Sequence, residues 1–420
     1  MPIRVWRKNM LEILKYNRNV RVISAANFIN RLGDSVETIA YTYLLYLLTG
    51  SLAVSALGLC INLLPSVIIQ PLISPFVERC SKKRIMVWTD YIRGLLTLII
   101  VFESCKGSIS YGLLMFVNFL SSSVECIRIP AGMSIVPQIC RAQEYDSQAS
   151  LSSLISSVTM ICGTLLGSVL LGVTDISVIY MFDSVSFVLS GSILMALQIK
   201  ETEVIDQKDN EKYFQSLIGG LKYLKTNKVL VGLVILCAVN NILEAPFSAL
   251  QAPIINGILG GGVGFLSIIS VSGTIGMIAG SLLYEVFYKK FGKKILYISI
   301  LSYALLYLSI IMLAELDNET VIIAVFSFIN IFCVIIQVWL SIFINSNFIK
   351  NVTPEYIGRS SAIFGAVAAA TMPACSFILA MVVDITGIYA ILKAAISAAV
   401  IAAVILFAKI SHTPDGIYSK

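Results

Sequence analysis

Apolar runs of about 20 residues recur along the whole chain, and each is long enough as an α-helix to cross about 30 Å of hydrocarbon. Twelve such runs lie near 22–49, 52–77, 85–104, 109–128, 148–173, 176–199, 229–253, 263–287, 295–314, 320–345, 360–383 and 387–410. A strand barrel shows only weak alternation over about ten residues, so this pattern argues against one. Hydrophobic residues make up 57% of the chain and charged residues 13%, against about 25% charged in a soluble domain. The expected fold class is an all-α membrane protein with twelve transmembrane helices.

Lys and Arg collect in cytoplasmic loops of membrane proteins. With the N-terminus inside, every Lys and Arg except Arg31, Arg93, Lys106 and Lys393 falls on the cytoplasmic side, while the acidic loop 315–320 falls outside. The expected placement is a multi-pass protein of the plasma (inner) membrane with both termini cytoplasmic. The first 21 residues are basic, but the run that follows carries charge and no small-residue cleavage site, which argues against a cleaved signal peptide. Basic charge is split among many loops instead of forming one face, so a nucleic-acid partner is not expected.

The longest polar stretch between runs, 200–228, divides the chain into six runs before it (1–199) and six after it (229–420). Glu37 in run 1 precedes the basic loop at 78–84 much as Glu244 in run 7 precedes the basic loop at 289–294, which reads as an internal parallel repeat. Two pseudo-symmetric six-helix bundles are expected. Within the linker, Tyr213, Leu217, Leu221 and Leu224 recur at helical spacing opposite Lys212, Lys222 and Lys225, the pattern of an amphipathic helix on the cytoplasmic surface. Nine cysteines form no CxxC pair, and the single histidine, His412, lies near the C-terminus. Neither a metal site nor a cofactor is expected.

The stretch SPFVERCSKKRIMVWTDYIRG (74–94) resembles the loop between spans 2 and 3 of the major facilitator superfamily, with pattern G-x-x-x-D-R-x-x-x-R-[RK]. Glu78 stands for the Asp, Arg79 for the Arg that follows, and Lys82, Lys83 and Arg84 for the basic cluster; Ser74 replaces the Gly. The resemblance implies an ion-pair latch that joins the two halves in one conformation and releases them in the other. Asp90 with Arg93 and Glu125 with Arg128 are i,i+3 pairs that would extend the network.

The segments 31–59, 129–157, 220–230 and 352–366 are similar to the macrolide-efflux-type drug exporters of that superfamily. The exporter signature G-P-x-x-G-G aligns with GTLLGS (163–168); Gly163 and Gly167 match, while Thr164 and Ser168 replace the Pro and the last Gly. These two glycines are expected to serve close helix packing. No Walker, HExxH or GxSxG motif is present, so neither an ATP-driven engine within the chain nor an enzyme is expected.

Run 1 is unusual. Asn27, Arg31, Asp34, Thr38 and Tyr41 fall on one helical stripe with Asn30 and Glu37 beside it, while apolar residues cover the rest. Ionisable groups within a membrane are costly unless they face water or one another, so this wet face reads as functional. Asp34 and Glu37, neighbours on one face and close to Arg31, are the expected proton-coupling residues, holding one proton between them. A permanent Arg31–Asp34 ion pair that fixes packing is the alternative. Asn27, Asn30 and Tyr41, with Asn240, Asn241 and Glu244 of run 7 and Asn330, Gln337 and Trp339 of run 10, are the expected substrate-cavity residues.

The resulting expectation is a monomeric proton-coupled exporter, by antiport and alternating access, of amphipathic drugs such as macrolides. Exchange with protons and a small molecule across the lipid bilayer is its expected chemistry. An exporter or importer of one metabolite or siderophore, and a permease driven by a separate ATPase, are the alternatives.

Overall fold

The computed structural model describes residues 12–49, 52–199, 213–260, 263–353 and 355–412. The basic residues before position 12, Lys212 and the acidic first part of the linker lie outside the described residues. A short helical segment at 12–16 leads into α1 (Arg18–Thr49), α2 (Leu52–Arg79), α3 (Lys82–Cys105), α4 (Tyr111–Ile139), α5 (Tyr145–Val173) and α6 (Ile176–Met195). The linker contributes α7 (Tyr213–Thr226), and α8 (Lys228–Pro253), α9 (Val263–Phe291), α10 (Lys294–Leu313), α11 (Glu319–Asn351), α12 (Ile357–Thr386) and α13 (Ile388–His412) follow.

Ten of these helices are long and apolar enough to span a membrane. With α1 and α2 the set is the expected twelve. The shortfall of α1 has a physical cause: Arg31, Asp34 and Glu37 sit in its middle, so its apolar surface is confined to one side. Spanning helices satisfy their backbone groups internally, and side chains close several of their ends. Ser81 accepts from the Arg84 N–H at the start of α3, Ser110 from Leu113 at α4, Asn227 from Val229 at α8 and Asn318 from Val321 at α11. Prolines within α4 (Pro130, Pro137), α8 (Pro246, Pro253) and α12 (Pro373) remove backbone donors where bends are tolerated.

The helices before and after the linker share their main packing contacts. In the first six, α1 packs on α5 and α6, α2 on α4, and α3 on α4 and α6; in the last six, α8 packs on α12 and α13, α9 on α11, and α10 on α11 and α13. Small residues permit the closest crossings. A Cβ on Gly163 would lie 2.4 Å from Ser35 Cβ, and one on Gly167 3.3 Å from the backbone of Val36, so α5 rests directly on α1. Gly276 and Gly280 do the same for α9 against α11, with backbone oxygens of Ile331 and Ile335 at 2.8 and 2.7 Å from the positions of their Cβ atoms.

The two bundles meet where α5 packs on α9 and α11, and where α12 packs on α2 and α4. The interhelix loops near 80, 141 and 292, Thr353 and the described part of the linker from 213 on share one end of the molecule, the end with most of the basic charge. Here α7 lies against α12, with Tyr223 stacked on Tyr356 at a centroid distance of 4.4 Å and its hydroxyl accepting from the Thr353 N–H. Large apolar side chains such as Leu95, Phe102, Phe328 and Ile385 are exposed around the outside, as a surface solvated by lipid requires.

Candidate functional site

Four helices of the first bundle surround a cavity of about 220 Å3 lined by Asp34, Glu37, Thr38 and Tyr41 of α1, Asn62 of α2, Arg93 of α3, and Asn118, Ser121, Ser122 and Glu125 of α4. Helical spacing on α1 creates this wall: Thr38 is exposed and Asp34 half-buried toward the wet face, while Val36 and Ala40 are buried against neighbouring helices.

Arg93 organises the site. Its Nη2 donates to Asp34 Oδ1 at 2.7 Å and lies 3.6 Å from Glu125 Oε2, its Nε donates to Ser121 Oγ at 3.1 Å, and its guanidinium carbon sits 4.2 Å above the Phe187 ring. The side chain is 4% exposed. A planar donor fork over an aromatic face suits this role in a way that a Lys ammonium does not. Glu37 accepts from Asn118 Nδ2 at 3.3 Å, and Asp183 of α6 accepts from Thr97 Oγ1 at 3.4 Å. Carboxylate oxygens of Asp34, Glu37 and Asp183 lie within 4.8 Å of one another. Four carboxylates therefore share the neighbourhood of one guanidinium.

A second cluster lies closer to the basic end. Asp90, fully buried, accepts from Arg128 Nε at 2.6 Å, Asn30 Nδ2 at 3.2 Å and Ser190 Oγ at 2.6 Å, and Arg128 Nη2 also donates to Asn27 Oδ1 at 3.0 Å. Its charges are matched one to one, the pattern of a structural ion pair.

The i,i+3 pairs expected on α3 and α4 are replaced by exchanges between helices: Arg93 reaches Asp34 and Glu125, and Arg128 reaches Asp90. Inward-pointing side chains on neighbouring helices meet across the bundle axis, where a shorter and drier contact is available than along a helix face. Arg31 is exposed and donates to Ser156 Oγ at 2.7 Å, so Asp34 takes Arg93 as its partner and not Arg31.

In the second bundle Glu244 is exposed on α8; Asn240 accepts from Tyr303 and Asn241 donates to the Ala368 carbonyl. Two residues expected to line a cavity are engaged in helix packing. Asn330 donates to Ser272 Oγ at 2.8 Å and to the Ile269 carbonyl, and Trp339 Nε1 donates to the Gly280 carbonyl at 3.0 Å while its ring stacks on Phe287. Both hold α9 to α11. Gln337 is half-buried, and its buried Nε2 has no hydrogen-bond partner among the described residues.

The side chains of Glu78 and Arg79 lie outside the described residues. Lys82 donates to the Cys80 carbonyl and Lys83 to the Leu197 carbonyl, both within the first bundle, and Arg84 is exposed. Among the described side chains, polar contacts between the bundles join α5 to α9 and α11. Lys350 Nζ of α11 pairs with Asp146 Oδ2 of α5 at 2.7 Å, Ser346 donates to the same carboxylate, Ser147 donates to Glu285 of α9, and Ser281 donates to Ser153 at 2.8 Å. These contacts close the bundles together toward the basic end.

Two signals were missed by sequence reasoning. Asp183, Ser186 and Ser190 recur at helical spacing through run 6 and mark a polar face. Asp146 and Lys350 sit at span ends, where charge reads as topology signal, and nothing local shows that residues 204 apart meet.

Two six-helix bundles of matching contact pattern, with buried charge in a cavity and a polar closure between them, define a membrane transporter. The sequence profile of the Major Facilitator Superfamily matches residues 23–373, and the chain belongs to that family. Its members are transporters of small molecules and not enzymes. The chain is 22% identical over 380 residues to Macrolide efflux protein A of Streptococcus pyogenes, covering 89% of this chain and 92% of the relative. It is 23% identical over 329 residues to Macrolide efflux protein A of Enterococcus faecalis, covering 77% of this chain and 99% of the relative. Among solved structures, a bacterial homologue of the iron transporter ferroportin in an outward-facing state superposes with TM-score 0.74 at 12% identity, covering 94% of this chain and 100% of that chain. The proton:xylose symporter XylE superposes with TM-score 0.68 at 12% identity, covering 94% and 96%. At such identities the structures establish the fold alone.

Proposed function

We propose that the chain is a proton-coupled exporter of amphipathic drug-like molecules such as macrolides, working as an antiporter by alternating access. The observation that carries this reading is the excess of carboxylates around Arg93 in a cavity of about 220 Å3. Asp34, Glu37 and Asp183 bring carboxyl oxygens within 4.8 Å of one another beside one guanidinium, and like charges this close favour a shared proton, so we read the site as one that holds and exchanges protons. Similarity to macrolide efflux proteins over most of the chain supports the substrate class.

In this mechanism Glu37 takes up the proton from the side to which the cavity opens, with Asp34 beside it held by Arg93. Arg93 transmits the change in charge, because it touches α1 and α4 at once. With the basic end cytoplasmic, the Asp146–Lys350 and Ser147–Glu285 contacts close the inner gate and the cavity faces outward. Proton binding favours the change of face, and substrate binding favours the reverse, which is the coupling that antiport requires. Glu244 on α8, exposed and across from the charged bundle in the repeat, gives the substrate path one anionic contact and a preference for cationic amphiphiles.

Membrane vesicles incubated with radiolabelled erythromycin outside test the reading. Accumulation should follow an imposed pH gradient, reverse when the gradient is reversed and stop with a protonophore. Accumulation that ignores both gradients and protonophore would point to another energy source.

A further inference from the structure

We propose that Glu37 of α1 and Asp183 of α6 form a carboxyl pair that carries one exchangeable proton between them, which makes Asp183 a coupling residue. This deepens the proton-coupled reading above and rests on it. It separates the roles of the three clustered carboxylates: Asp34 is the counter-ion of Arg93, and the other two are the proton store.

The separation follows from who has a cation. Asp34 has Arg93 at 2.7 Å. Neither Glu37 nor Asp183 is in an ion pair among the described residues, although both are buried, at 7% and 0% exposure, and their oxygens lie within 4.8 Å of each other. Asp183 Oδ2 accepts one long bond from Thr97, and Asp183 Oδ1 has no hydrogen-bond partner among the described residues. An ionised carboxylate with one weak donor and no exposure to solvent is costly. A proton on either carboxyl, donated to an oxygen of the other, removes one charge and supplies the missing bond.

A glycine makes this approach possible. Gly33 lies where α6 crosses α1; a Cβ there would fall 2.0 Å from Ser186 Oγ and 2.5 Å from Asp183 Oδ1. Without that side chain, α6 comes close enough to place Asp183 behind Glu37. Glu37 lines the cavity and Asp183 does not. Water therefore reaches the pair through Glu37, and Asp183 tunes the proton from the dry side. The titratable and charged groups facing the pair are Asp34 and Tyr41 on α1, Arg93 on α3, Glu125 on α4 and Tyr180 on α6.

Arg93 is the cation paired with this cluster among the described residues and balances part of its carboxylate charge. Arg93 also explains how loss of the proton is felt. Its Nη1 is buried without a partner among the described residues, so a donor stands ready when the pair becomes ionised. Shifting Arg93 toward the pair weakens its hold on Asp34 and Glu125, and with it the contact between α3 and its neighbours.

Difference infrared spectra of the purified full chain, stepped across neutral pH, read the pair directly. Wild type should show one protonated-carboxyl band that appears and disappears with pH. The band should vanish in Glu37→Gln and in Asp183→Asn, and persist in Asp34→Asn. In vesicles, Asp183→Asn should lower the ratio of pH-driven erythromycin accumulation to downhill exchange by about tenfold or more, and Asp183→Glu should restore it. The Asn amide can donate to Glu37 as a protonated carboxyl would, so the fold is kept; should it fail to fold, Asp183→Glu tests the pair in its place, with a displaced band supporting it and an unmoved band overturning it. A band that survives in both Glu37→Gln and Asp183→Asn, or an Asp183→Asn protein that pumps uphill like wild type, overturns the pair. A band lost in both variants in a protein indifferent to pH gradients instead overturns the proton-coupled reading and leaves the pair standing.

Discussion

The two bundles share one pattern of helix contacts but fill it with different chemistry. The first holds Arg93 and Arg128 among Asp34, Asp90, Glu125 and Asp183, all within the spans. The second meets the same packing requirement with neutral groups: Tyr303 with Asn240, Tyr307 with the Leu243 carbonyl, Asn330 with Ser272, and Trp339 with the Gly280 carbonyl. Neutral hydrogen bonds and glycine crossings are thus sufficient to build this bundle. Buried ions are costly in a membrane and are not needed for the architecture, so under the proposed function it is the unmatched charge around Arg93, and not the Asp90–Arg128 pair, that changes during the transport cycle.

That contrast predicts unequal costs for equivalent damage. Arg93→Ala leaves buried carboxylates without their cation and should destabilise the folded protein by about 3–5 kcal/mol. Trp339→Phe in the second bundle loses one hydrogen bond to a carbonyl and should cost about 1 kcal/mol. Thermal unfolding in detergent measures both. Similar losses in the two variants would break the comparison, because Arg93 would then be ordinary packing.

Packing itself should be symmetric. Gly280→Ala pushes a methyl group against the Ile335 carbonyl and Gly163→Ala pushes one against Ser35 Cβ. Each should cost about 1–3 kcal/mol, with the two values close to one another. A large inequality in the same unfolding measurement would mean that one bundle depends on its glycine crossing more than the shared contact pattern implies.

Much of this architecture was legible in the sequence because it depends on local periodicity. Long apolar runs give the spanning helices, and the stripe from Asn27 to Tyr41 gives the wet face of α1. The glycines at 163 and 167 lie at a close crossing for the same reason: spacing of four keeps both on one face. Partner choice was not legible. Arg31 is the nearest cation to Asp34 along the helix, yet Arg93, 59 residues away, is its partner. Rotation of each helix about its axis decides such pairs, and no local pattern encodes it. Asn330 and Trp339 show the same limit, since a polar group in a span can serve a neighbouring helix as readily as a cavity.

The closure between the bundles should contribute least to stability and more to conformation. Asp146 and Lys350 are both partly exposed, so their pairing is worth about 0.5 kcal/mol. Asp146→Lys should open the basic end and raise labelling of a cysteine introduced at Ser346. Combining it with Lys350→Asp should restore the wild-type level. Failure of the double exchange to restore closure would assign the gate to the Ser147–Glu285 and Ser153–Ser281 contacts.

The charge in the first bundle is either exchanged during transport or merely structural, and one measurement separates the two. The most direct test is uphill erythromycin accumulation by the double variant Asp34→Asn with Glu37→Gln, reconstituted in vesicles with an imposed pH gradient, beside its binding affinity across pH. Exchange of charge predicts folded protein that binds erythromycin with little pH dependence and cannot accumulate it. Accumulation at the wild-type level would contradict that claim and leave the charges around Arg93 as scaffold.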